Sequence, residues 1–157
     1  MSRIHAVVLA ICLLAPAAAH AGARQEAKVI LSDNPQERKF QDEWGYADAV
    51  VTGDTVYLSG VVAGLRPGET DLKLAYERAF RHIGNVLQRA GASWDDVVDI
   101  TSFHTDVKAQ MPAIVAAKKE FVQGPAPAWT AIQVVRLIPD AGITEIKIVA
   151  KLPAAKH

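Results

Sequence analysis

The chain is organised around residues 124–136, which read Gly-Pro-Ala-Pro-Ala-Trp-Thr-Ala-Ile-Gln-Val-Val-Arg. The glycine and the two prolines form a stiff entry that no helix can cross, because proline fixes φ and lacks an amide hydrogen. The β-branched residues that follow predict a strand over 130–137. Trp129 stands where the loop meets this strand, so two roles are open for it: a core side chain or the wall of a binding site.

Patterns on either side of this stretch predict an α+β chain. Apolar residues recur at helical spacing over 72–90, and a second helix is predicted over 109–121, with Pro112 in its first turn. Gly53-Asp54 separates two β-rich runs and is typical of a hairpin turn. The predicted strands are 28–31 at a sheet edge, 46–52, 55–59, 97–105, 130–137 and 145–152.

The order of these elements predicts a mixed sheet with two helices on one face. The 157 residues suffice for one domain with a core, since half of them are hydrophobic. The strands are too apolar for both faces of the sheet to contact water, so the face without helices needs a cover. We therefore expect contacts between subunits on that face, and hence an oligomer.

The first 21 residues are typical of a cleavable signal peptide. Arg3 supplies a short basic region and residues 6–14 an apolar region, and either Ala19-His20-Ala21 or Ala21-Gly22-Ala23 is a small-residue cleavage site. The apolar run is much shorter than the roughly 20 residues of a membrane-spanning helix, so no stable membrane anchor is expected. The sequence therefore predicts a periplasmic protein with an N-terminal extension over 22–43, which holds the edge strand, and a folded domain over 44–153.

The composition of the mature chain argues against several function classes. Cys12, the only cysteine, lies in the signal peptide, so no disulfide, thiol nucleophile or thiolate ligand is expected after cleavage. Removal of Arg3 leaves 16 basic against 17 acidic residues without a Lys/Arg cluster, which argues against a nucleic-acid partner. The sequence shows neither a set of metal ligands at useful spacing nor a phosphate-binding glycine loop, so no metal and no cofactor are expected.

Few residues remain that carry chemistry. Glu145 opens the last strand, and Tyr46, Ser59 and Thr130 lie at other strand ends. A carboxylate at a strand end is usually solvated or paired with a cation. In a partly buried cleft, however, its pKa rises and it can act on water as a general base. His104 and Asp106 also allow two interpretations, a polar pair at a site or an ordinary strand-end turn.

Several blocks of the sequence resemble the Rid (YjgF/RidA) family. Gly45-Tyr46-Ala47-Asp48-Ala49-Val50 and Val56-Tyr57-Leu58-Ser59-Gly60 resemble its opening hairpin. The helix end over 84–91, the strand over 97–103, the run from Pro127-Ala128-Trp129-Thr130 to Leu137, and Glu145-Ile146 resemble its later blocks. The resemblance covers about 46–152, with the blocks in the family's order.

The resemblance implies a chorismate-mutase-like α+β subunit, a homotrimer whose sheets face a central barrel, and ligand clefts between subunits. Active members of the family hydrolyse 2-iminoacids to oxoacids and ammonia. They hold the substrate carboxylate with an arginine, because a guanidinium forms a planar bidentate clamp. In this sequence Trp129 stands at the position of that arginine, Val115 or its neighbour replaces an asparagine of the second helix, and Ala131 replaces a core-strand cysteine.

Three hypotheses about function follow from the resemblance and its departures. In the first, an exported homotrimer binds a small molecule in its intersubunit clefts and lacks the standard 2-iminoacid deaminase activity. In the second, the protein is an imine or enamine deaminase in which Glu145 activates water. In the third, it is a structural or protein-binding trimer in which Trp129 packs an interface. The expected catalytic residue is Glu145, and the expected ligand-binding residues are Tyr46, Ser59, Gly60, Trp129, Thr130 and Ala131.

Overall fold

A computed structural model describes residues 22–153, which build a seven-stranded sheet with two long helices on one of its faces. The helices are α1 Ala23–Glu26, α2 Pro35–Trp44, α3 Leu72–Ala90 and α4 Val107–Phe121, with a 3-10 turn at Trp94–Asp96. The strands are β1 Lys28–Ile30, β2 Ala49–Thr52, β3 Thr55–Leu58, β4 Val61–Gly64, β5 Val97–His104, β6 Ala128–Gln133 and β7 Gly142–Lys151.

Strand β7 lies at the centre of the sheet because it pairs with three other strands. One of its edges is antiparallel to β5, and its other edge pairs with β4 in the first half of the strand and with β3 near the end. From β3 the sheet continues through β2 to β1, and from β5 it continues to β6, which runs parallel to β5. Strands β1 and β6 therefore end the sheet, and β4 keeps one open edge.

One stripe of α3 packs on the covered face of the sheet to form the hydrophobic core. Each of the large side chains involved is at most 2% exposed, and burying one contributes about 1.5–3 kcal/mol. Asp71 caps the start of α3 by accepting a bond from the Lys73 amide, and Gly91 ends the helix in the left-handed region with φ 95°. The core side chains include Tyr76, Phe80, Ile83 and Leu87 from α3 and Val56, Leu58, Ile146 and Ile148 from the sheet.

The α+β fold class and the main elements predicted from the sequence are confirmed. The structure contains the mixed sheet, the two helices on one face and the hairpin at Gly53-Asp54. The strand predicted over 28–31 is present as β1 and lies at the edge of the sheet. The periodic patterns were therefore sufficient to define the central part of the fold.

Three elements were missed by the sequence analysis: the four-residue helix α1, helix α2 and strand β4. An Asn-Pro pair such as Asn34-Pro35 is typical of a turn, but Asn34 Oδ1 accepts from the Gln36 amide at 2.9 Å and Pro35 is the first helical residue. Helix α2 is mostly charged and buries only Gln41, so no apolar period marks it. Strand β4 has only four residues and directly follows Gly60, where the pattern indicated the end of a strand.

Four other elements differ from their predicted bounds by two or more residues. Strand β2 begins at Ala49 and not at 46, so Tyr46 precedes it, and β7 begins at Gly142, where it pairs with Gly64 of β4, so Glu145 lies inside this strand and does not open it. Helix α4 begins at Val107 because Asp106 Oδ1 accepts from the Ala109 amide at 3.0 Å, which places Pro112 in the second turn and not in the first. A proline there removes one helical hydrogen bond. Strand β6 ends at Gln133, since the Val134 amide donates to the carbonyl of His104, the last residue of β5. Because β6 begins at Ala128, Trp129 lies inside the strand and not in the loop that precedes it.

The predicted signal peptide, residues 1–21, lies outside the part of the chain that the structure describes. Over residues 22–153, none of the helices combines the length and the apolar character that crossing a membrane requires.

Candidate functional site

A cavity of about 330 Å³ lies beside the open edge of β4. Its walls come from β4, from the α3 face that carries Ala75, Ala79 and His82, and from the segment in which α2 leads into β2. Small side chains on β4 and α3 leave this space empty. Because β4 pairs with β7 on one edge only, the backbone groups of its other edge can bind a ligand here.

Ser59 and Gly60 form the kink between β3 and β4, and both line the cavity. The Ser59 hydroxyl donates to the Ala47 carbonyl at 2.6 Å, and the Ser59 amide donates to the Asp48 carbonyl at 2.9 Å. These bonds hold the kink against the segment that precedes β2. The predicted hairpin therefore brings Tyr46 and Ser59 to the same wall.

The Glu145 carboxylate lies directly against Gly60. A Cβ on Gly60 would stand 1.8 Å from Glu145 Oε1 and 2.5 Å from its Cδ, so only glycine leaves the carboxylate in this position. Glu145 is paired with Val62 on β4 and with Phe103 on β5, and it projects from the face that the helices leave uncovered. Its side chain is partly buried, and no cation within residues 22–153 forms an ion pair with it.

The cavity wall around Tyr46 is acidic. Burial raises the pKa of the Tyr46 hydroxyl, and the carboxylates of Asp48 and Glu37 raise that pKa further. Asp48 is held by Arg89 Nη1 at 3.1 Å and by Gln41 Nε2 at 2.6 Å. Glu37 Oε2 accepts from the Ser32 hydroxyl at 2.6 Å. Two carboxylates thus lie near one phenol at this end of the cavity.

Arg78 lines the opposite end of the cavity but already has its own partners. Its two terminal nitrogens donate to the Glu69 carboxylate at 2.7 and 2.6 Å, and Nη2 also donates to the Gly64 carbonyl at 3.0 Å. This bidentate pair lowers the pKa of Glu69 to about 2. In this arrangement Arg78 does not present an unoccupied clamp to a ligand carboxylate.

Trp129 and Ala131 lie away from this cavity, on the helix-covered face of β6. Trp129 pairs with Ile100, its indole Nε1 donates to the Ser102 hydroxyl at 2.9 Å, and Lys118 Nζ stands 4.3 Å from its ring centroid. Ala131 follows two residues later, so it shares this face. The indole is a partly buried group with a partner for its N–H, as an amphipathic aromatic requires.

Within one subunit the structure brings together some of the predicted site residues. Tyr46, Ser59 and Gly60 line one cavity, and Glu145 touches Gly60. Thr130 projects from the same face as Glu145, but two strand spacings and two residues separate them, roughly 12 Å. A ligand-binding role for β6 therefore remains a prediction. This role requires that β6 of another subunit approach the cavity.

Several cavity residues were not found by sequence reasoning. Glu37 and Gln41 lie on the missed helix α2, and Arg78 and His82 lie on α3, far from the hairpin in sequence. The capping pattern at Asn34-Pro35 was the one local signal for α2. Over residues 22–153, no three His, Cys, Asp or Glu side chains are close enough to hold a metal ion.

A second polar cluster lies under the helices, around His104. His104 Nε2 is 2.9 Å from the Ser102 hydroxyl, and its Nδ1 is 3.2 Å from Gln110 Oε1. This connectivity resembles that of a catalytic nucleophile, its general base and the residue that orients the base. Ser102 and His104 are fully buried and Gln110 is 5% exposed, so no substrate reaches the hydroxyl. The cluster is therefore part of the core.

The hydrogen bonds of this cluster form one directed chain. Gln110 Oε1 only accepts, so His104 Nδ1 carries the hydrogen and Nε2 accepts from Ser102, which in turn accepts from Trp129. Thr144 also donates to Gln110 Oε1, at 3.2 Å, and Tyr76 is bonded to Thr144 at 2.8 Å. Burial lowers the pKa of His104. The hydrogen bond to Gln110 offsets only part of this decrease, so the imidazole is neutral.

Comparison with known proteins identifies the family. The sequence profile of a family described as Endoribonuclease L-PSP matches residues 36–152. The chain belongs to this family, the YjgF/RidA group. The RutC family protein YjgH of Escherichia coli (strain K12) is 38% identical over 71% of this chain and 86% of its own length. A protein of Dermatophagoides farinae named 2-iminobutanoate/2-iminopropanoate deaminase is 33% identical over 62% of this chain and 79% of its own length.

Solved structures of Rid proteins have the same fold. The structure of protein YJGH superposes with a TM-score of 0.68 at 33% identity, and it covers 82% of this chain and 98% of its own. The structure of Rv2704 from Mycobacterium tuberculosis, a member of the YjgF/YER057c/UK114 family, also gives a TM-score of 0.68 at 24% identity, over 80% of this chain and 99% of its own. The second likeness shows the fold alone.

The buried His104 predicts a pH-dependent loss of stability. Its folded pKa lies below its unfolded value near 6.5, so the unfolded chain takes up a proton that the folded core does not. Stability is then lost as the pH falls below about 6.5, by at most about 1.4 kcal/mol per pH unit from this group. Urea unfolding at pH 7.5 and 5.0 should show a smaller pH effect in His104→Gln than in the wild type. The exposed His82→Gln is the control, and identical pH effects in wild type and His104→Gln would contradict the assignment.

Proposed function

We propose that the chain is an exported Rid-family protein that binds a small molecule at the cavity beside β4, in a cleft between subunits, without the standard 2-iminoacid deaminase activity. One observation carries this proposal. The position that resembles the family's clamp arginine holds Trp129, whose indole N–H is bonded to Ser102 on the helix-covered face. A tryptophan presents no guanidinium to a carboxylate from either face of the strand.

The loss of such a clamp has a large effect on a small anionic ligand. A buried bidentate pair contributes a few kcal/mol of binding, and an unpaired carboxylate in its place carries a desolvation penalty. Arg78, the guanidinium that lines the cavity, is engaged by Glu69 and Gly64. Binding by backbone groups of β4, stacking and apolar burial suits a ligand without a carboxylate better.

Imine or enamine hydrolysis is the second candidate function, and the position of Glu145 favours it. The carboxylate is partly buried, sits against Gly60 and is close to the wall that Ser59 and Tyr46 line. A carboxylate in such a place can accept a proton from water as the water attacks an imine carbon. The Dermatophagoides farinae relative that is named an iminoacid deaminase supports this candidate.

Turnover measurements distinguish the two functions. With 2-iminopropanoate generated in situ, we expect the mature protein to give no hydrolysis above the buffer rate, because the carboxylate has no clamp. If a ketimine without a carboxylate is hydrolysed, Glu145→Gln should lower the rate by about 10²-fold or more, and Gly60→Ala should do the same by displacing the carboxylate. Trp129→Ala should retain that rate.

Glu43→Gln is the matched control, since Glu43 is an exposed carboxylate of α2 outside the cavity wall. Rapid hydrolysis of 2-iminopropanoate that Glu145→Gln abolishes would refute the absence of standard deaminase activity.

The uncovered face of the sheet supports assembly into a homotrimer. Strand pairing aligns a set of apolar side chains on this face, and Tyr57 and Ile132 among them are 46% and 43% exposed. Exposed apolar side chains grouped on one face of a sheet favour a contact with another protein surface. A second and a third copy of the chain would cover this face. The aligned residues are Val50, Tyr57, Val62, Phe103, Ile132 and Val149.

Light scattering tests the trimer. The mature wild-type protein should have three times the mass of its chain, and Ile132→Lys should shift it toward the monomer because a charge is costly to bury in an apolar contact. Leu74→Lys is a matched control, since Leu74 is 44% exposed but lies on α3, on the helix side. A wild-type mass equal to that of one chain would refute the trimer.

Export is part of the proposal and rests on the leader pattern of residues 1–21. Expressed with its leader in a Gram-negative bacterium, the protein should be released by osmotic shock. Its intact mass should correspond to a chain that begins near Gly22. Retention of a chain that begins at Met1 in the cytoplasmic fraction would refute export.

A further inference from the structure

The geometry points to a small organic cation, a protonated amine or an iminium with a flat apolar part, as the ligand of the cavity beside β4. This inference rests on the proposed small-molecule function and adds the charge class of the ligand. It depends on three features of the described residues: the shape of the cavity, the balance of charge around it and the aromatic side chains next to it.

The cavity, and not the carboxylates alone, defines the site. Because Ala75 and Ala79 of α3 and Gly64 of β4 are small residues, about 330 Å³ stays open between the helix and the strand edge, enough for a small molecule. The Tyr46 end and the Arg78 end are both polar, and aliphatic groups of Val61, Val62 and Val86 line the space between them. Such a cavity accepts a ligand with one polar end and an apolar body.

The charges around the cavity leave an excess of carboxylates. Arg78 is paired with Glu69, and Arg89 is shared between Asp48, at 3.1 Å, and Asp33, also at 3.1 Å. Arg89 Nη2 also donates to the Leu31 carbonyl. Glu37 accepts from Ser32 but forms no ion pair with any cation of residues 22–153.

Both guanidinium groups are therefore matched, and negative charge remains at the Tyr46 end. Glu145 touches Gly60 but projects from the face of the sheet that the helices leave uncovered, so it does not line the cavity. Among the described residues that line the cavity, the other basic side chain is His82, which is exposed. Burial raises the pKa of the Tyr46 hydroxyl, the carboxylates of Asp48 and Glu37 raise it further, and the same two carboxylates favour a bound cation.

An aromatic cluster adjoins this acidic end. Phe40 and Trp44 stack with ring centroids 4.7 Å apart, and Tyr46 meets Phe40 edge-on at 6.1 Å. All three side chains are more than 40% exposed, although aromatic side chains of this size are usually covered. Aromatic faces next to carboxylates attract organic cations and repel carboxylates. This combination selects an ammonium or iminium group and excludes an anionic iminoacid.

Three probes of similar size test the charge class. Benzylammonium, benzyl alcohol and benzoate are titrated into the mature wild-type protein at pH 7.5 and low ionic strength, with binding measured by calorimetry and by the fluorescence of the tryptophans. We expect benzylammonium to bind about tenfold or more tighter than benzoate, with benzyl alcohol between them. The advantage of the cation should shrink as salt is added.

Substitution of Glu37 separates the local charge from the general charge of the protein. Glu37→Gln should weaken benzylammonium about fivefold and leave benzyl alcohol unchanged, because the amide keeps the shape and removes the charge. Glu43→Gln removes one charge from the same helix at an exposed position outside the wall, so it should change neither affinity. Thermal unfolding of both variants checks that the fold is retained.

The outcomes distinguish this inference from the function on which it rests. Benzoate binding as tightly as benzylammonium, or Glu37→Gln without effect on benzylammonium, overturns the charge class and leaves small-molecule binding intact. If none of the three probes binds and none perturbs the tryptophan fluorescence, the small-molecule function fails together with the inference.

Discussion

The pairing of β7 with three other strands is the constraint on which the rest of the structure depends. Alternate residues of β7 are buried under the helices, from Gly142 to Ala150, while the residues between them face the uncovered side. A shift of one residue would expose Ile146 and Ile148 and bury the carboxylate of Glu145. The hydrophobic core thus fixes the register, and the register places Glu145 opposite Val62 and against Gly60. The candidate site follows from the same pairing that stabilises the fold.

The same strand also contributes to the buried polar network. Thr144, the neighbour of Glu145 in the chain, points to the covered face and bonds with Tyr76, His104 and Gln110. Every donor and acceptor of this network has a partner, and such a network is costly to break, since a single unpartnered buried group carries a penalty of about 1–3 kcal/mol. It joins β5, β7, α3 and α4, and through Ser102 it holds the Trp129 indole on this face. This network gives Trp129 a structural role within the subunit, whatever the open edge of β6 meets in an assembly.

Family membership and the local chemistry give different information about function. The match over residues 36–152 establishes the scaffold, on which Tyr46, Ser59 and Gly60 line one cavity and Glu145 touches Gly60. The ligand then depends on the charges and side chains that surround those residues. Trp129 is bonded to Ser102 on the helix-covered face and presents no guanidinium, and α2 places Glu37, Phe40 and Trp44 next to Tyr46 at the cavity. Because a scaffold hosts different ligands through changes in its site, these local features carry the proposal of a cationic or neutral ligand.

The elements whose signal is local could be predicted from the sequence. The helix over 72–90 has five turns of apolar periodicity, and the hairpin has its Gly-Asp turn. Three other features could be seen only in the tertiary structure. Helix α2 was not predicted because the sequence of a capped, charged helix start is similar to that of a turn. The face of Trp129 was hidden because side chains alternate along a strand, so its face depends on the register with β5. The cavity was hidden because its walls come from α2, β4 and α3, and no local pattern records which distant segments the core brings together.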